Sequence, residues 1–213
     1  KKLHKAIAKN GTVVETKKLY DDKLPAWIEQ RVREQQRTID FKAAAVLAES
    51  VGADLGTLYN QINKLCLVVA AGEAISADHV EQHVGISKEY NNFELRKALG
   101  NGHTAKAYTI AHFFGRHPRQ HPLLGTIRSL HNYFMQLLTY HGLPSKNPDA
   151  VAKALGIHPF FVREIEQAAR RYPLKSIVPI LGSIKKADLA VKGVDAFPTS
   201  EGEVLQELLS HIA

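Results

Sequence analysis

The stretch "AVAKALGIHPFFVREI", residues 150–165, decides how the chain is interpreted. It reads as a helix, a turn at Gly156 and a second helix opened by Pro159, which is how a DNA-reading helix-turn-helix looks in sequence. A recognition helix begins with polar or small side chains that reach base edges, whereas this one begins with Phe160 and Phe161. The pattern therefore favours a helix corner inside a helical domain. Phe160 is predicted to pack under that corner and to be largely buried.

An earlier stretch, "LAESVGADLGTLYNQINKL" at residues 47–65, repeats the joint, with an alanine and Gly52 at the same four-residue spacing. Its second helix continues through "KLCLVVAA", residues 64–71, which is apolar nearly all round. Such a pattern is typical of a helix buried by its neighbours. We therefore expect a long buried helix that ends at about residue 71.

Composition places the chain among folded globular proteins. The chain has 213 residues, of which 45% are hydrophobic, enough for one large domain or two small ones. The single cysteine, Cys66, excludes a disulfide framework and a cysteine-based zinc site, so a reducing cytoplasm is the expected location. The longest apolar run, seven residues in "LCLVVAA", is too short to cross a membrane.

The net charge of +7 is unevenly distributed along the chain. Residues 1–90 carry 13 Lys and Arg against 12 Asp and Glu, whereas residues 91–213 carry 15 against 9. A basic excess of this size fits an acidic partner such as nucleic acid, or equally a solvated basic face without a ligand.

Hydrophobic periodicity and capping signals predict an all-α fold. The first four helices should form one small bundle, and the polar stretch at 85–92 is the best domain boundary. The predicted helices are 23–36, with Trp27, Ile28 and Val32 at core spacing; 40–52, with Asp40 as N-cap and Gly52 as stop; 54–71, capped by Asp54; 77–84, capped by Ser76; 93–100; 104–116; 122–142; one opened by Asn147 and Pro148; one opened by Pro159; 173–193, kinked at or beginning from Pro179; and 200–212, with Ser200 and Glu203 as a capping box.

The beginning of the chain differs from the rest. Residues Thr12 to Glu15 are strand-like, but one strand cannot make a sheet. Because position 1 is not methionine, we expect these residues to be the end of a larger domain whose sheet lies upstream.

Motifs for catalysis or nucleotide binding are missing from the sequence. It contains no Walker-type phosphate loop, no Gly-x-Ser-x-Gly elbow, no His-Glu-x-x-His helix and no pair of cysteine doublets. The nearest approach to a metal site is "HFFGRHPRQHP", residues 112–122, with His112, His117 and His121. Prolines break the helix that would align these histidines, and no acidic residue is nearby, so a basic interhelical loop is favoured. We expect no catalytic residue, no metal and no cofactor.

Two pairs of arginines are candidates for contacts with the DNA backbone. Arg116 and Arg119 lie in the basic loop, where they could contact phosphates or only water. Arg170 and Arg171 end a predicted helix, where cations also complement the helix dipole.

Four strings stand in order along nearly the whole chain: "LPAWIEQR", "VGADLGTLYNQINKL", "ALGIHPFFV" and "ADLAVKG". They hold Trp27, Gly52, Asp54, Leu55, Leu58, Asn60, Lys64, Leu65, Gly156, Pro159, Phe160, Asp188, Lys192 and Gly193. Together these strings resemble the delta subunit of the bacterial DNA polymerase III clamp loader. Two positions depart from that family's pattern, because Gln61 and Asn63 stand where acidic residues are usual.

The resemblance implies a division into three parts. Residues 1–17 would be the remnant of a nucleotide-fold domain that grips the sliding clamp, residues 18–86 a small helical lid of the AAA+ type, and residues 87–213 a helical collar. The collar would pack with other loader subunits, and primed DNA would be approached on its backbone through the assembly. The sliding clamp would be contacted only through the domain that is mostly absent here.

The resemblance predicts the function of the chain, and one alternative stays open. The chain would be a non-catalytic subunit of the DNA polymerase (nucleotidyltransferase) holoenzyme, acting in DNA replication, with no membrane contact. The alternative is a helix-turn-helix DNA-binding regulator, which would bind duplex DNA alone and prefer a sequence.

Overall fold

The computed structural model describes residues 2–13, 19–20, 23–194 and 200–213. Across these residues the secondary structure is twelve α-helices without a strand, apart from one isolated parallel bridge between Ile39 and Ile75. The helices are α1 (Lys2–Asn10), α2 (Leu24–Glu34), α3 (Phe41–Val51), α4 (Leu55–Val68), α5 (Ala77–Val84), α6 (Asn92–Gly100), α7 (Thr104–Arg116), α8 (Leu123–Gly142), α9 (Pro148–Leu155), α10 (Val162–Arg171), α11 (Leu174–Val191) and α12 (Glu201–Ile212).

Helices α2 to α5 surround the first of two hydrophobic cores, which includes Ile28, Leu47, Leu58 and Leu65. We call this group of helices the first unit. Its helix ends follow the sequence signals: Asp54 accepts hydrogen bonds from the first turn of α4, and Ser76 caps α5. Asp40 occupies the N-cap position of α3 but makes no side-chain capping hydrogen bond. The predicted four-helix bundle is confirmed.

Helices α6 to α12 surround the second core, with Phe134 and Leu130 of the long helix α8 fully buried at its centre. We call this group the second unit. Helix α11 packs along α8, and α12 packs along α7. The close contact of α7 with α12 is made where Gly115 faces Gly202, since a Cβ atom on Gly115 would lie 2.9 Å from the Cα of Gly202.

The buried run predicted at residues 64–71 is wrong in two respects. Helix α4 ends at Val68, and Leu67 and Val68 are 85% and 47% exposed. Only the face of α4 with Leu58, Ile62 and Leu65 contacts the first core. The neighbours cover one side of this helix, so an apolar sequence on the other side stays in solvent.

The helix corner at Gly156 is confirmed, but the burial predicted for Phe160 is wrong. Gly156 ends α9 in the left-handed conformation, with φ of 64°, and Pro159–Phe161 form one 3-10 turn before α10. Adjacent side chains in that turn point in different directions. Phe161 turns inward and is partly buried, whereas Phe160 turns outward and is 64% exposed.

Two further predictions concern Pro179 and the strand-like residues 12–15. Helix α11 begins at Leu174 and continues through Pro179 to Val191, so the predicted helix is confirmed and the alternative that it begins at the proline is wrong. Of the predicted strand, Thr12 and Val13 lie in irregular structure, and Val14 and Glu15 lie outside the described residues. No helix in the described ranges is long and apolar enough to span a membrane.

Candidate functional site: the joint between the units and the basic residues

Aromatic side chains connect the two units. Phe161, which precedes α10, lies with its ring centroid 4.9 Å from that of Phe41 on α3 and 5.2 Å from that of Phe93 on α6. His158 stacks on Phe41 at 4.0 Å, and its Nδ1 accepts a hydrogen bond from the backbone N–H of Phe160. The loop after Gly156 therefore fastens the second unit to the first.

An ion pair with a bridging hydroxyl lies at the same joint. Arg96 of α6 donates to both carboxylate oxygens of Glu49 on α3, at 2.8 and 3.2 Å. Ser129 of α8 accepts from Arg96 at 2.8 Å and donates to Glu49 at 2.6 Å. Because a forked contact fixes both position and orientation, this triad holds α3, α6 and α8 in one arrangement.

A second carboxylate at the joint, Glu94, is buried between two lysines. Lys42 of α3 donates to it at 2.8 Å and Lys106 of α7 at 2.7 Å. Burial alone raises the pKa of Glu94, but the two lysines lower the pKa below its ordinary value. Glu94 is therefore ionised at neutral pH and links three helices from both units.

A cleft of about 1930 Å³ runs beside this joint, between the first and second units. Glu164 lines it, 3.7 Å from the ammonium group of Lys97. Burial raises the pKa of Glu164, and the charge of Lys97 opposes that rise. Within the described ranges, no three His, Cys, Asp or Glu side chains are grouped as metal ligands require.

Two of the three histidines of residues 112–122, His117 and His121, are used in packing, whereas His112 is exposed on α7. His117 contacts the carbonyl oxygen of Phe113 through Nδ1 at 2.9 Å. His121 stacks on Phe114 at 4.3 Å, and burial together with His117 lowers its pKa. Only residues 117–122 form the loop between α7 and α8, whereas His112 and Arg116 lie in the last turns of α7. The interhelical loop is therefore shorter than the sequence predicted, because α7 continues to Arg116.

The four candidate arginines divide into two kinds. Arg170 is paired with Glu166 at 2.7 Å, and Arg171 donates to the carbonyl oxygen of Ala213 at 2.8 Å. Arg116 and Arg119 are exposed and have no ion pair in the part of the chain that the structure describes. Contact of these four arginines with DNA stays a prediction. Arg116 and Arg119 could make it more easily than Arg170 and Arg171, because they would break no internal bond.

The residues of the four matching strings occupy structural positions in both units, and none of the clusters above brings them all together. Their functional roles stay predictions. Leu58 and Leu65 are fully buried; Leu55 and Trp27 are partly buried, with Arg31 over the indole ring; Asn60 and Lys64 are exposed; Gly52, Gly156 and Gly193 have positive φ at helix ends; Pro159 opens the 3-10 turn; and Asp188 pairs with Lys192 at 2.7 Å.

Sequence reasoning missed the joint. Glu49, Arg96 and Ser129 are separated by 47 and 33 residues in the chain, and none of them stands in a recognisable motif. The one available signal was Phe161, an aromatic residue that a solvated turn does not need.

The chain is 26% identical over 194 residues to the DNA polymerase III subunit delta of Bacillus subtilis. The aligned region covers 90% of this chain and 55% of that protein. The chain is a homologue of this delta subunit. The resemblance stated from the four strings is confirmed. The chain spans a little over half the length of this curated relative, and no family model matches it.

The solved structure of the Bacillus subtilis DNA clamp loader delta protein matches the fold, with a TM-score of 0.56 and 24% sequence identity. The match covers 100% of this chain and 62% of that one. The predicted all-α fold of the clamp-loader type is confirmed.

Proposed function

We propose that the chain is a clamp-loader subunit of the replicative DNA polymerase, which assembles with other loader subunits to help load the sliding clamp onto primed DNA. The observation that carries the proposal is homology with a delta subunit along 90% of the chain. The chain's part in this work is to hold and position other subunits, without catalysis of its own.

The proposal assigns residues 18–86 to the lid and residues 87–213 to the collar. Two separate hydrophobic cores support this division, one built by α2 to α5 and the other by α6 to α12. Phe93 and Phe161 are the exceptions, because both contact the core of the first unit from the collar side. These contacts at the joint pack the proposed collar against the proposed lid.

The partners follow from the same assignment. Other loader subunits would bind the collar, and primed DNA would be contacted on its phosphates by exposed cations such as Arg116 and Arg119. Binding of this kind is weak, sequence-independent and sensitive to salt. The sliding clamp is not expected to bind residues 18–213.

The helix-turn-helix alternative is disfavoured at the site where it would act. A recognition helix needs a free N-terminal turn to enter the major groove. The turn before α10 is held against α3 through Phe161 and His158, which both contact Phe41. A regulator built on this corner would first have to separate the two units.

A pull-down with purified proteins tests the proposal. The tagged chain is mixed in turn with the other loader subunits encoded in the same genome and with the sliding clamp. We expect retention of loader subunits and no strong retention of the clamp. Failure to retain any loader subunit, or strong binding of duplex DNA with a sequence preference, would contradict the proposal.

A further inference from the structure

The stretch between the two units, residues 85–91, is held in place by side-chain hydrogen bonds. The side chain of Asn91 is buried; its amide group donates to the carbonyl oxygen of Ser87 at 2.8 Å, and its oxygen accepts from a backbone N–H in the first turn of α6 at 2.9 Å. On the other side, Lys88 pairs with Asp78 of α5 at 2.8 Å. Domains that turn against each other are normally joined by an exposed, flexible linker, whereas these bonds fix the course of the chain from α5 to α6.

Helix α6, which follows this stretch, belongs to both cores. Phe93 in its first turn is buried in the core of the first unit, whereas Leu95 and Leu99 are buried in the core of the second. Phe161, from the turn before α10, contacts the ring of Phe93 and also packs on the first core. Turning one unit against the other would therefore bring a buried aromatic ring into water, which is unfavourable.

Helix α3 lies between the two units and is bound on two sides. The side with Leu47 is buried in the first core. On another side, Lys42 donates to Glu94 of α6 at 2.8 Å. Glu49 lies seven residues further along, on the same side of the helix as Lys42, and accepts both bonds of the Arg96 fork. These two attachments are about 10 Å apart along the helix axis, so the second unit cannot rotate about either one alone.

The triad of Glu49, Arg96 and Ser129 also crosses the cleft between the units. All three residues line it, Glu49 from the first unit and the other two from the second. The cleft can therefore widen or close only if the forked ion pair breaks. A guanidinium fork fixes direction as well as distance, whereas a lysine ammonium group on its flexible stem fixes distance only.

We infer that α3 is a splint that locks the two units into one rigid body, without a hinge between them. This rigidity follows from the contacts alone and goes beyond the proposed function. Movement of one unit against the other is the usual expectation for two units of one chain with a polar interface. If the units are the lid and the collar, the splint makes the two move together in this subunit.

Distances between spin labels in the whole chain test the splint. In a Cys66→Ser background, labels at Leu67→Cys and Val178→Cys report from one unit to the other, and both positions are exposed, at 85% and 62%. Labels at Val178→Cys and His112→Cys, an exposed position of α7, report within the second unit. We expect a narrow distance distribution of similar width for each pair. A broad or two-peaked distribution for the inter-unit pair, beside a narrow one for the pair within the second unit, would overturn the inference.

A variant that detaches α3 shows whether the splint supplies the rigidity. Lys42→Gln with Glu49→Gln removes both polar attachments, at partly exposed positions, and leaves the aromatic rings as the contact about which the units can turn. The inter-unit distribution should then broaden at least about twofold, while the pair within the second unit stays narrow and far-UV circular dichroism is unchanged. An unchanged inter-unit width would overturn the inference, because something other than α3 would then hold the units.

A matched control breaks an ion pair that lies within one unit. Glu166→Gln removes the partner of Arg170 on α10 and should leave the widths of both distributions as they are in the wild type. Broadening of the inter-unit distribution by Glu166→Gln would also count against the splint, because any lost ion pair would then have the same effect. None of these measurements uses a loader partner, so a negative result leaves the proposed function standing.

Discussion

Replacing Phe161 by alanine should destabilise the protein through the joint. Removing a fully buried phenylalanine side chain costs about 3 to 5 kcal/mol. Phe161 is only partly buried, but the substitution also removes its ring contacts with Phe41 and Phe93. Each such aromatic pair contributes about 0.5 to 1.5 kcal/mol beyond its buried area. We therefore expect Phe161→Ala to lower the free energy of unfolding by about 2 to 3 kcal/mol.

The neighbouring residue provides the control. Phe160 is 64% exposed, so Phe160→Ala should cost no more than about 0.5 kcal/mol. For a chain of this length, 1 kcal/mol corresponds to about 2 to 4 °C in melting temperature. Calorimetry should then show a fall of about 4 to 12 °C for Phe161→Ala and less than about 2 °C for Phe160→Ala. Equal effects, or a larger effect at Phe160, would refute the placement of the two rings.

Three other predictions concern acid stability, helix packing and DNA. Folding lowers the pKa of Glu94 from its ordinary value of 4.5, so its contribution to stability is present above that pH and is lost as the pH falls below it. In urea titrations from neutral pH into this acid range, the unfolding free energy of Glu94→Gln should therefore fall less steeply than that of the wild type. A steeper fall for Glu94→Gln would contradict the reasoning. Gly115→Ala should lower the free energy of unfolding by about 1 to 3 kcal/mol, because the new methyl group meets the backbone of Gly202. The control Gly125→Ala, whose methyl group meets nothing within 4 Å, should be neutral or stabilising by up to about 1 kcal/mol. Equal melting temperatures for these two variants would show that α7 and α12 are not in contact at Gly115. The chain should bind duplex DNA weakly and without sequence preference, with an affinity that falls steeply as salt rises in a fluorescence titration, and a salt-independent affinity would contradict backbone contact.

Features that depend on a few neighbouring residues could be predicted from the sequence. Asp54 caps α4 because its carboxylate lies within reach of the backbone N–H groups of Gly56 and Thr57, at 3.1 Å each. Gly52 and Gly156 end helices because their backbones adopt positive φ, at 72° and 64°, where residues with a Cβ are strained. Ser200 and Glu203 form their capping box for the same local reason.

Features set by tertiary packing could not be predicted in this way. The sequence indicates that an aromatic residue near Pro159 is buried, but the direction of the 3-10 turn decides that it is Phe161 and not Phe160. Likewise, the apolar sequence around Leu67 predicts burial, yet no neighbouring helix covers that side of α4. The contact of Glu49 with Arg96 depends on how the two units meet, which no local pattern encodes.

Sedimentation velocity of the labelled chain, titrated with the other clamp-loader subunits, tests the central claim most directly. The chain alone has a mass of 23.6 kDa. If it is a clamp-loader subunit that assembles through residues 87–213, the label should move into one faster species whose mass is that of the chain plus its partners in a fixed ratio. A label that still sediments as the free chain at micromolar concentrations of every loader subunit would contradict the claim.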